Sequence, residues 1–189
     1  MLSQFIEKKM TYDGTQLRSL FAYLDHGLLG PSVVAFRGPC NISFDHMVDG
    51  EDLLAQAVIA GDDMLHFIIE VFDRDLFSGV ALQRLFASIC RDYLNPQALR
   101  ALGEPGLVRD GDDIYYSDRK LSISIATKSP VSTMVHFAMN VTNKGTPVKT
   151  LSLEDIGVKP EIAAEDIMKL FKAEYLSIMA ATQKVRPVP

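Results

Sequence analysis

The amino-acid sequence predicts an α+β fold in which a largely antiparallel, mixed sheet is backed by helices. Three observations support this prediction. Stretches with strand character outnumber helical ones, and most are joined by turns of the hairpin kind. Apolar residues alternate with polar residues at period two in the runs 120–127 and 131–141. Apolar residues recur at helical spacing in 80–94 and in 167–179, so these segments are expected to form helices that pack on the sheet.

The N-terminal half is predicted to contain three strands and one short helix. Stretches 16–24, 32–37 and 64–72 carry apolar residues with the spacing and length of strands. Between the last two, Asp49 followed by Asp52 resembles a helix capping box that uses a shorter acid. Apolar residues then recur at helical spacing until a glycine ends the pattern, which predicts a short helix.

The C-terminal half is predicted to contain a helix, a hairpin, a pair of strands and a final helix. The helix over 80–94 should end at Asn95, because a residue that precedes proline disfavours helical backbone angles. Asp110 and Gly111 lie between apolar flanks, a combination that favours a tight hairpin. A second turn then leads into the strand that begins at Lys120.

Length and composition favour one domain over residues 1–189. The chain is 48% hydrophobic and 23% charged, which is an ordinary globular balance. No apolar run approaches the roughly 20 residues that cross a bilayer, and the N-terminus lacks the order of a secretion signal, so a cytoplasmic protein without membrane contact is expected. A net charge of −5 argues against general nucleic-acid binding. Small molecules or other proteins are the expected partners, with a homodimer left open.

Metal and disulfide chemistry are not expected. Cys40 and Cys90 are too few for a disulfide framework, and no Cys/His cluster has the spacing of a closed zinc site. Asp110, Asp112 and Asp113 could bind a divalent cation, but a hairpin tip rich in Asp and Gly is usually solvated turn chemistry. The sequence therefore predicts no metal site.

The two alternating runs predict a polar pocket. In the first run, one face of the predicted strand carries Leu121, Ile123, Ile125 and Thr127. The other face carries Lys120, Ser122, Ser124 and Ala126. The second run places His136 and Asn140 together on its more polar face. If Thr127 pairs with Val131, Ser122 lies opposite His136 and Lys120 lies opposite Ala138. Lys120 and His136 would then project into one space.

Each candidate on these strands also has a structural interpretation. Lys120 is either an exposed lysine at a strand end or a cation that neutralises a phosphate or carboxylate. His136 either lines a pocket or is a partly buried histidine bonded to a neighbour. His66 and Glu70 share a strand face but are too far apart to pair directly. They are expected to line the pocket independently or to face solvent.

The segment that follows the second predicted strand is a candidate ligand loop. It runs Arg37-Gly38-Pro39-Cys40-Asn41. Glycine lets a backbone approach a ligand, and an arginine can hold an anion with two N–H groups. The alternative is an ordinary turn with one salt bridge. A nucleophilic Cys40 is disfavoured because no base is identifiable beside it in the sequence.

A resemblance to a known family covers nearly the whole chain. It is carried by Val33-Val-Ala-Phe-Arg-Gly-Pro-Cys-Asn41, Met64-Leu-His-Phe-Ile-Ile-Glu70, Gly111-Asp-Asp-Ile-Tyr115, Arg119-Lys-Leu-Ser-Ile-Ser-Ile-Ala-Thr127, His136-Phe-Ala-Met-Asn140 and Lys184-Val-Arg186. These segments resemble the archaeal and bacterial family known as domain of unknown function 366. The resemblance implies no established activity.

A more distant resemblance implies chemistry. Asp112-Asp-Ile-Tyr115 with Arg119-Lys-Leu-Ser-Ile123 is similar to a motif of biotin and lipoate protein ligases and octanoyl transferases, and His136-Phe-Ala-Met-Asn-Val141 is similar to their histidine strand. The resemblance implies the fold of class II aminoacyl-tRNA synthetases. It also implies that Lys120 contacts an activated acyl group and its phosphate. In the leading hypothesis, Asp113 orients Lys120 or a ligand amine. ATP or an acyl-adenylate-like molecule is the ligand class that the resemblance leaves open.

The chain also departs from the ligase pattern. The glycine- and arginine-rich loop of the ligases is reduced to the 37–41 segment, their Lys-Trp-Pro is replaced by Arg109-Asp110-Gly111, and the nucleophilic cysteine of the transferases is missing. Three hypotheses stay open: acyl or nucleotidyl transfer, a non-catalytic binding module, and a scaffold or dimerisation domain. The candidate catalytic residues are Lys120, Arg37 and Asp113, and the candidate ligand contacts are Gly38, Cys40, Asn41, His66, Glu70, Arg109, Ser122, Ser124, His136 and Asn140.

Overall fold

The computed structural model describes residues 1–188 and has the α+β architecture that the sequence predicts. The strands are β1 (Leu2–Ile6), β2 (Ser32–Asn41), β3 (Ala60–Phe72), β4 (Val108–Asp110), β5 (Asp113–Tyr116), β6 (Arg119–Lys120), β7 (Ser122–Lys128) and β8 (Ser132–Asn140). The α-helices are α1 (Phe21–His26), α2 (Gly50–Ala55), α3 (Leu76–Leu102) and α4 (Pro160–Thr182). A 3-10 turn at Phe44–His46 precedes α2.

Five strands form the main sheet, in the order β1-β2-β3-β8-β7. The β1–β2 pair is parallel and the other three pairs are antiparallel, so the sheet is mixed but mostly antiparallel. The remaining strands form a small sheet in the order β4-β5-β6. This small sheet continues directly into β7 and thereby attaches the hairpin to the edge of the main sheet.

Helices α3 and α4 cover one face of the main sheet, which we call the helix-backed face. The Phe86 ring lies at its centre and makes edge contacts with Phe67, Phe137 and Phe171 at centroid separations of 5.0–5.1 Å. All four rings are fully buried. Apolar burial and close ring packing on this face supply the main core of the protein.

The opposite face, which we call the open face, is covered by irregular segments and short helices. Alternate residues of β2 and β3, among them Val34, Phe36 and Ile68, point to this face. Tyr12 and Phe21 pack on them from the segment between β1 and β2. No helix of this covering layer is longer than six residues within the described chain.

In the N-terminal half, one predicted element is wrong and one strand is missing from the prediction. The segment 16–24 is not a strand: a turn leads into α1, and Leu20 has a left-handed backbone at φ 63°. The Leu20 N–H donates to the Glu70 Oε1 atom at 2.8 Å, a contact across 50 residues that local patterns do not encode. β1 was not predicted, because it is a mostly exposed edge strand with little apolar alternation.

α3 is longer than predicted and continues through Pro96. Leu94 and Ala98, on either side of the proline, are fully buried in the core. The free energy gained by burying this apolar helix face exceeds the cost of a proline inside the helix, so the helix does not end at Asn95. The Asn95 Oδ1 atom accepts a 2.7 Å hydrogen bond from the Leu107 N–H, which anchors the chain after the helix.

The hairpin is confirmed, but the register of the last two strands is not as predicted. Asp110 pairs with Asp113 across a two-residue turn. Thr127 pairs with Met134 rather than Val131, and Ile125 rather than Ser122 pairs with His136. The turn between β7 and β8 is wider because the Ser129 hydroxyl accepts the Val131 and Ser132 N–H groups. Isoleucines of β7, not serines, therefore share the open face with His136.

A helix that crosses a membrane is long and predominantly apolar. No helix within residues 1–188 is long and apolar enough to cross a membrane.

Candidate functional site

The open face carries a groove made of two adjoining cavities beneath the segment 42–59. The central cavity has a volume of about 310 Å³ and the side cavity about 210 Å³. Both are bordered by Asp52, Ile59, Lys120 and Ile123. The polar and charged side chains that line the central cavity are Tyr12, His46, Asp49, Glu51, Asp52, Asp112, Asp113, Lys120, Ser124 and His136.

Lys120 and Asp113 form an ion pair where the two cavities meet. The register of the small sheet places Tyr115 opposite Lys120, and the Lys120 Nζ atom lies 2.7 Å from the Asp113 Oδ2 atom. Burial works to lower the pKa of Lys120, but the bond to Asp113 raises it above its ordinary value. Burial raises the pKa of Asp113, although Lys120 works to lower it. The short distance is that of an ion pair whose two partners are half-buried.

Two buried histidines lie in series behind the central cavity. The Nε2 atom of His66 lies 3.2 Å from the Gly38 carbonyl oxygen, and its Nδ1 atom lies 3.1 Å from His136 Nε2. The Tyr12 ring stacks on His136 at a centroid distance of 3.6 Å and an angle of 11°. Burial lowers the pKa of His66 to about 4. Burial, with His66 beside it, also lowers the pKa of His136, so both rings are neutral at pH 7.

The roof of the groove is acidic. Asp49 caps α2, since its carboxylate accepts the Glu51 and Asp52 N–H groups, as the capping motif predicts. Asp52 is half-buried and borders both cavities. Burial and the neighbouring Asp49 raise the pKa of Asp52, while Lys120 works to lower it. The roof therefore presents a carboxylate to the groove close to the Lys120 ammonium.

Arg37 does not lie at the groove, which corrects the prediction that it holds an anion there. It points to the helix-backed side of β2, in register with the core residue Leu65. Its guanidinium donates to Asp63 at 2.7–3.1 Å and to Glu161 at 2.8 Å. These bonds raise the pKa of Arg37 even though its partial burial opposes them. Arg37 thus links β2, β3 and the start of α4.

The rest of the predicted ligand loop is also structural. A Cβ atom on Gly38 would lie 2.0 Å from the Met10 carbonyl oxygen, so glycine is needed for the 10–12 segment to cross β2. Cys40 is buried against that segment, and burial raises the pKa of its thiol to about 12, which disfavours a thiolate nucleophile. The Asn41 N–H donates to the Tyr12 carbonyl oxygen, and its side chain is exposed.

The two serines of β7 support the hairpin, and of the two only Ser124 borders the groove as predicted. The Ser122 hydroxyl accepts the Ile114 N–H at 2.9 Å. Ser124 borders the central cavity, but its hydroxyl donates to Asp112 and accepts from Gln83, both at 2.8 Å. These hydroxyls are already used in holding the small sheet to β7 and α3.

Three further candidates lie away from the central cavity. The Glu70 carboxylate is buried and accepts the Leu20 N–H and the Ser132 hydroxyl. Arg109 is exposed and donates to the Gly111 carbonyl in the hairpin turn. Asn140 borders the side cavity, where its amide donates to the Lys120 and Leu151 carbonyls, both at 3.1 Å.

Sequence patterns missed the residues that come from the covering layer. Tyr12 lies in a segment without regular structure, and no local signal connects it with a histidine 124 positions later, at His136. Asp52 was interpreted only as part of a cap, although that motif could have indicated an acidic helix start near the sheet. Ile123 and Ile125 were placed on the other face because the predicted register was wrong. The single residue Leu121 between β6 and β7 also interrupts the alternation that groups Lys120 with Ser122 and Ser124.

Solved structures of other proteins share the fold of this chain. A candidate lipoate protein ligase from T. acidophilum, solved with lipoic acid bound, superposes with a TM-score of 0.59 at 14% identity, over 94% of this chain and 87% of that chain. Biotin protein ligase from Aquifex aeolicus superposes with a TM-score of 0.58 at 12% identity, over 92% and 69%. At this identity the likeness shows the fold, which is that of the biotin and lipoate protein ligases.

The chain belongs to the family described as domain of unknown function DUF366, whose model matches residues 1–186. An uncharacterised protein of Methanocaldococcus jannaschii is 33% identical over 161 residues, which cover 82% of this chain and 70% of the relative. A protein of unknown function from Pyrococcus horikoshi is 39% identical and superposes with a TM-score of 0.91, over 99% of this chain and 98% of that one. Both resemblances inferred from the sequence are confirmed.

Proposed function

We propose that residues 1–189 act as one biotin/lipoate-ligase-like domain that binds a small molecule in the groove, against Lys120 and Asp113. The observation that carries this proposal is the position of Lys120, which borders both cavities. A ligand in either cavity would therefore lie beside the same ion pair. Small-molecule sites are concave and have few polar groups at fixed positions, and the groove meets that description.

Lys120 is the group that would receive a carboxylate or phosphate of an acyl or nucleotide-like ligand. Among the described residues that border the two cavities, it is the one lysine or arginine. An anion there would share the ammonium with Asp113, which is already 2.7 Å away. A single anionic group is therefore the most that the groove is suited to accept.

A second candidate function is acyl or nucleotidyl transfer, with ATP or an acyl-adenylate as a ligand. The observation that favours it is the junction of two cavities at Lys120, because transfer needs two reacting groups held side by side. Arg37 and Cys40 are not available for this chemistry, since Arg37 is bound by two carboxylates and Cys40 is buried. Binding is therefore the function that the geometry supports best.

A ligand panel tests both functions. The wild-type protein is titrated with lipoate, biotin, ATP and a non-hydrolysable acyl-adenylate, and the change in melting temperature is measured. A ligand at 100 times its dissociation constant adds about 2.7 kcal/mol to the free energy of unfolding, which is readily detected. Pyrophosphate release with ATP and each carboxylate then separates a ligase from a binding module.

The matched variants are Lys120→Met and Lys149→Met. Lys149 forms an equally short ion pair with Asp118 but is exposed and lies outside both cavities. We expect Lys120→Met to lose the ligand-induced stabilisation and Lys149→Met to keep it. Equal stabilisation of the two variants would refute the groove as the site, and a panel without any stabilising compound would refute the proposed function.

A further inference from the structure

The hydrogen bonds of the two buried histidines determine which ring nitrogen carries the proton. A carbonyl oxygen only accepts, so the His66 Nε2–H must donate to Gly38. His66 is neutral, and its Nδ1 atom is therefore an acceptor. The His136 Nε2–H must then be the donor in the 3.1 Å contact between the two rings. In a neutral His136 ring, the Nδ1 atom carries a lone pair and no proton.

This Nδ1 atom has no hydrogen-bond partner among residues 1–188. His136 is 2% exposed and borders the central cavity. Stacking on Tyr12 and the bond to His66 hold the ring in this orientation. The atom is not fully enclosed by the described residues, so it can be reached from the cavity. An unprotonated imidazole nitrogen accepts a hydrogen bond from a donor that enters, so the ring offers an acceptor to the cavity.

The charges around the cavity also favour a ligand that donates hydrogen bonds. Five carboxylates border it (Asp49, Glu51, Asp52, Asp112 and Asp113), with one lysine. Asp112 and Asp113 are bonded to Ser124 and Lys120, and Asp49 caps α2. Asp52 is the half-buried member of the set that accepts no hydrogen bond in the part of the chain described. Glu51 is exposed, so Asp52 and His136 are the two acceptors away from bulk solvent that are left for a ligand.

We propose that the groove takes a ligand that carries a protonated amine, whose N–H groups donate to His136 Nδ1 and Asp52. This inference rests on the proposed function and specifies the ligand class for the same site. An ammonium group supplies several donors and a positive charge, which matches a neutral acceptor beside an excess of carboxylates. A carboxylate or phosphate placed against His136 Nδ1 and Asp52 would face a lone pair and a negative charge.

The first test measures the histidine tautomers directly. Two-bond ¹H–¹⁵N spectra of ¹⁵N-labelled protein at pH 7 should show His66 and His136 each protonated on Nε2 alone. A proton on His136 Nδ1 would overturn the inference, because the cavity would then meet a donor. The measurement needs no ligand, so it is independent of the binding panel.

The second test compares three probes of equal length and different charge: pentylammonium, pentanol and pentanoate. Each is titrated into labelled protein, and the shifts of His136 Nδ1 and of the Asp52 amide are followed. We expect pentylammonium to bind at least about tenfold more tightly than pentanol, which corresponds to one hydrogen bond to a charged group. Pentanoate has only the Lys120 ammonium to bind and must share it with Asp113, so it should bind more weakly than pentylammonium.

Asp52→Asn and Asp45→Asn are the matched variants. Both carboxylates lie in the covering segment, but Asp45 is exposed and does not border the groove. Asp52→Asn should reduce pentylammonium affinity about tenfold, and Asp45→Asn should not change it. Preferred binding of pentanoate in the groove would overturn the amine inference while supporting the proposed function. A lack of response to all three probes would overturn the inference, and the ligand panel would then decide the function separately.

Discussion

The two faces of the main sheet differ in what covers them. The helix-backed face is closed by α3 and α4 over an apolar core centred on Phe86. The open face is covered by irregular segments and encloses polar groups, including His66 and His136. The helix-backed face carries the larger apolar cluster, and the open face has room for a groove. Long, regular packing surfaces and ligand cavities compete for the same area of sheet.

A single strand serves both faces. In β3, Leu65, Phe67 and Ile69 belong to the helix-backed core, whereas His66 and Ile68 point to the open face. Because side chains alternate along a strand, a buried polar site can lie within a few ångströms of the apolar core without interrupting it. Substitutions on the two faces should therefore differ in how they change the free energy of unfolding and its pH dependence.

The largest expected effect is on the helix-backed face. Phe86→Ala should lower the free energy of unfolding by about 4 kcal/mol, because the long helices cannot close the cavity that it leaves. Phe36→Ala, equally buried on the open face, should cost closer to 3 kcal/mol, since short covering segments can relax. Denaturant unfolding at pH 7 measures both.

The exposed ring of Phe77 in the same helix provides the control. It is 83% exposed, so Phe77→Ala should change stability by no more than about 0.5 kcal/mol. Equal costs for Phe86→Ala and Phe36→Ala would contradict the distinction between a rigid and an adaptable face.

The next largest effect is a pH dependence that arises on the open face. His66 has a pKa of about 4 when folded, against 6.5 for the ordinary group. Between these values the unfolded chain binds a proton that the folded protein does not. This contribution to stability is complete above pH 6.5 and is lost as the pH falls to 4, on the order of 3 kcal/mol. Denaturant unfolding at several pH values should show the loss.

A variant isolates this contribution from that of the carboxylates. His66→Gln keeps a donor for the Gly38 carbonyl but removes the titrating ring, so its stability should fall less steeply between pH 6.5 and 4. His46→Gln, which removes an exposed histidine, should keep the wild-type slope. If the free energy of unfolding of His66→Gln and of the wild type falls equally steeply between pH 6.5 and 4, the buried-histidine interpretation is wrong.

The smallest expected effect concerns the ion pair in the groove. Lys120→Met should lower the free energy of unfolding by roughly 1 kcal/mol, because it leaves the half-buried Asp113 without its partner. Lys149→Met breaks an exposed pair and should give no measurable change. If Lys120→Met lowers the free energy of unfolding by several kcal/mol, the Lys120–Asp113 pair stabilises the fold and is not kept mainly for ligand binding.

Parts of the candidate site were predictable because they depend on short-range features. The Asp110-Gly111 turn and the following turn bring Asp113 beside Lys120 through a small antiparallel sheet. The expectation that Lys120 and His136 border one space also holds, although by a different register. Arg37 could not be placed from the sequence, because its partners Asp63 and Glu161 are 26 and 124 residues away.

Local sequence patterns are sufficient to predict the α+β class, the neighbouring pair β7–β8, the hairpin and the ligase-like motif around Lys120. These features follow from periodicity and turn chemistry within some twenty residues, which local sequence records. The tertiary structure decided the register of β7, the passage of α3 through Pro96 and the stacking of Tyr12 on His136. Those outcomes depend on burial and on hydrogen bonds between distant segments, whose free energies exceed local preferences and appear only when the chain has packed.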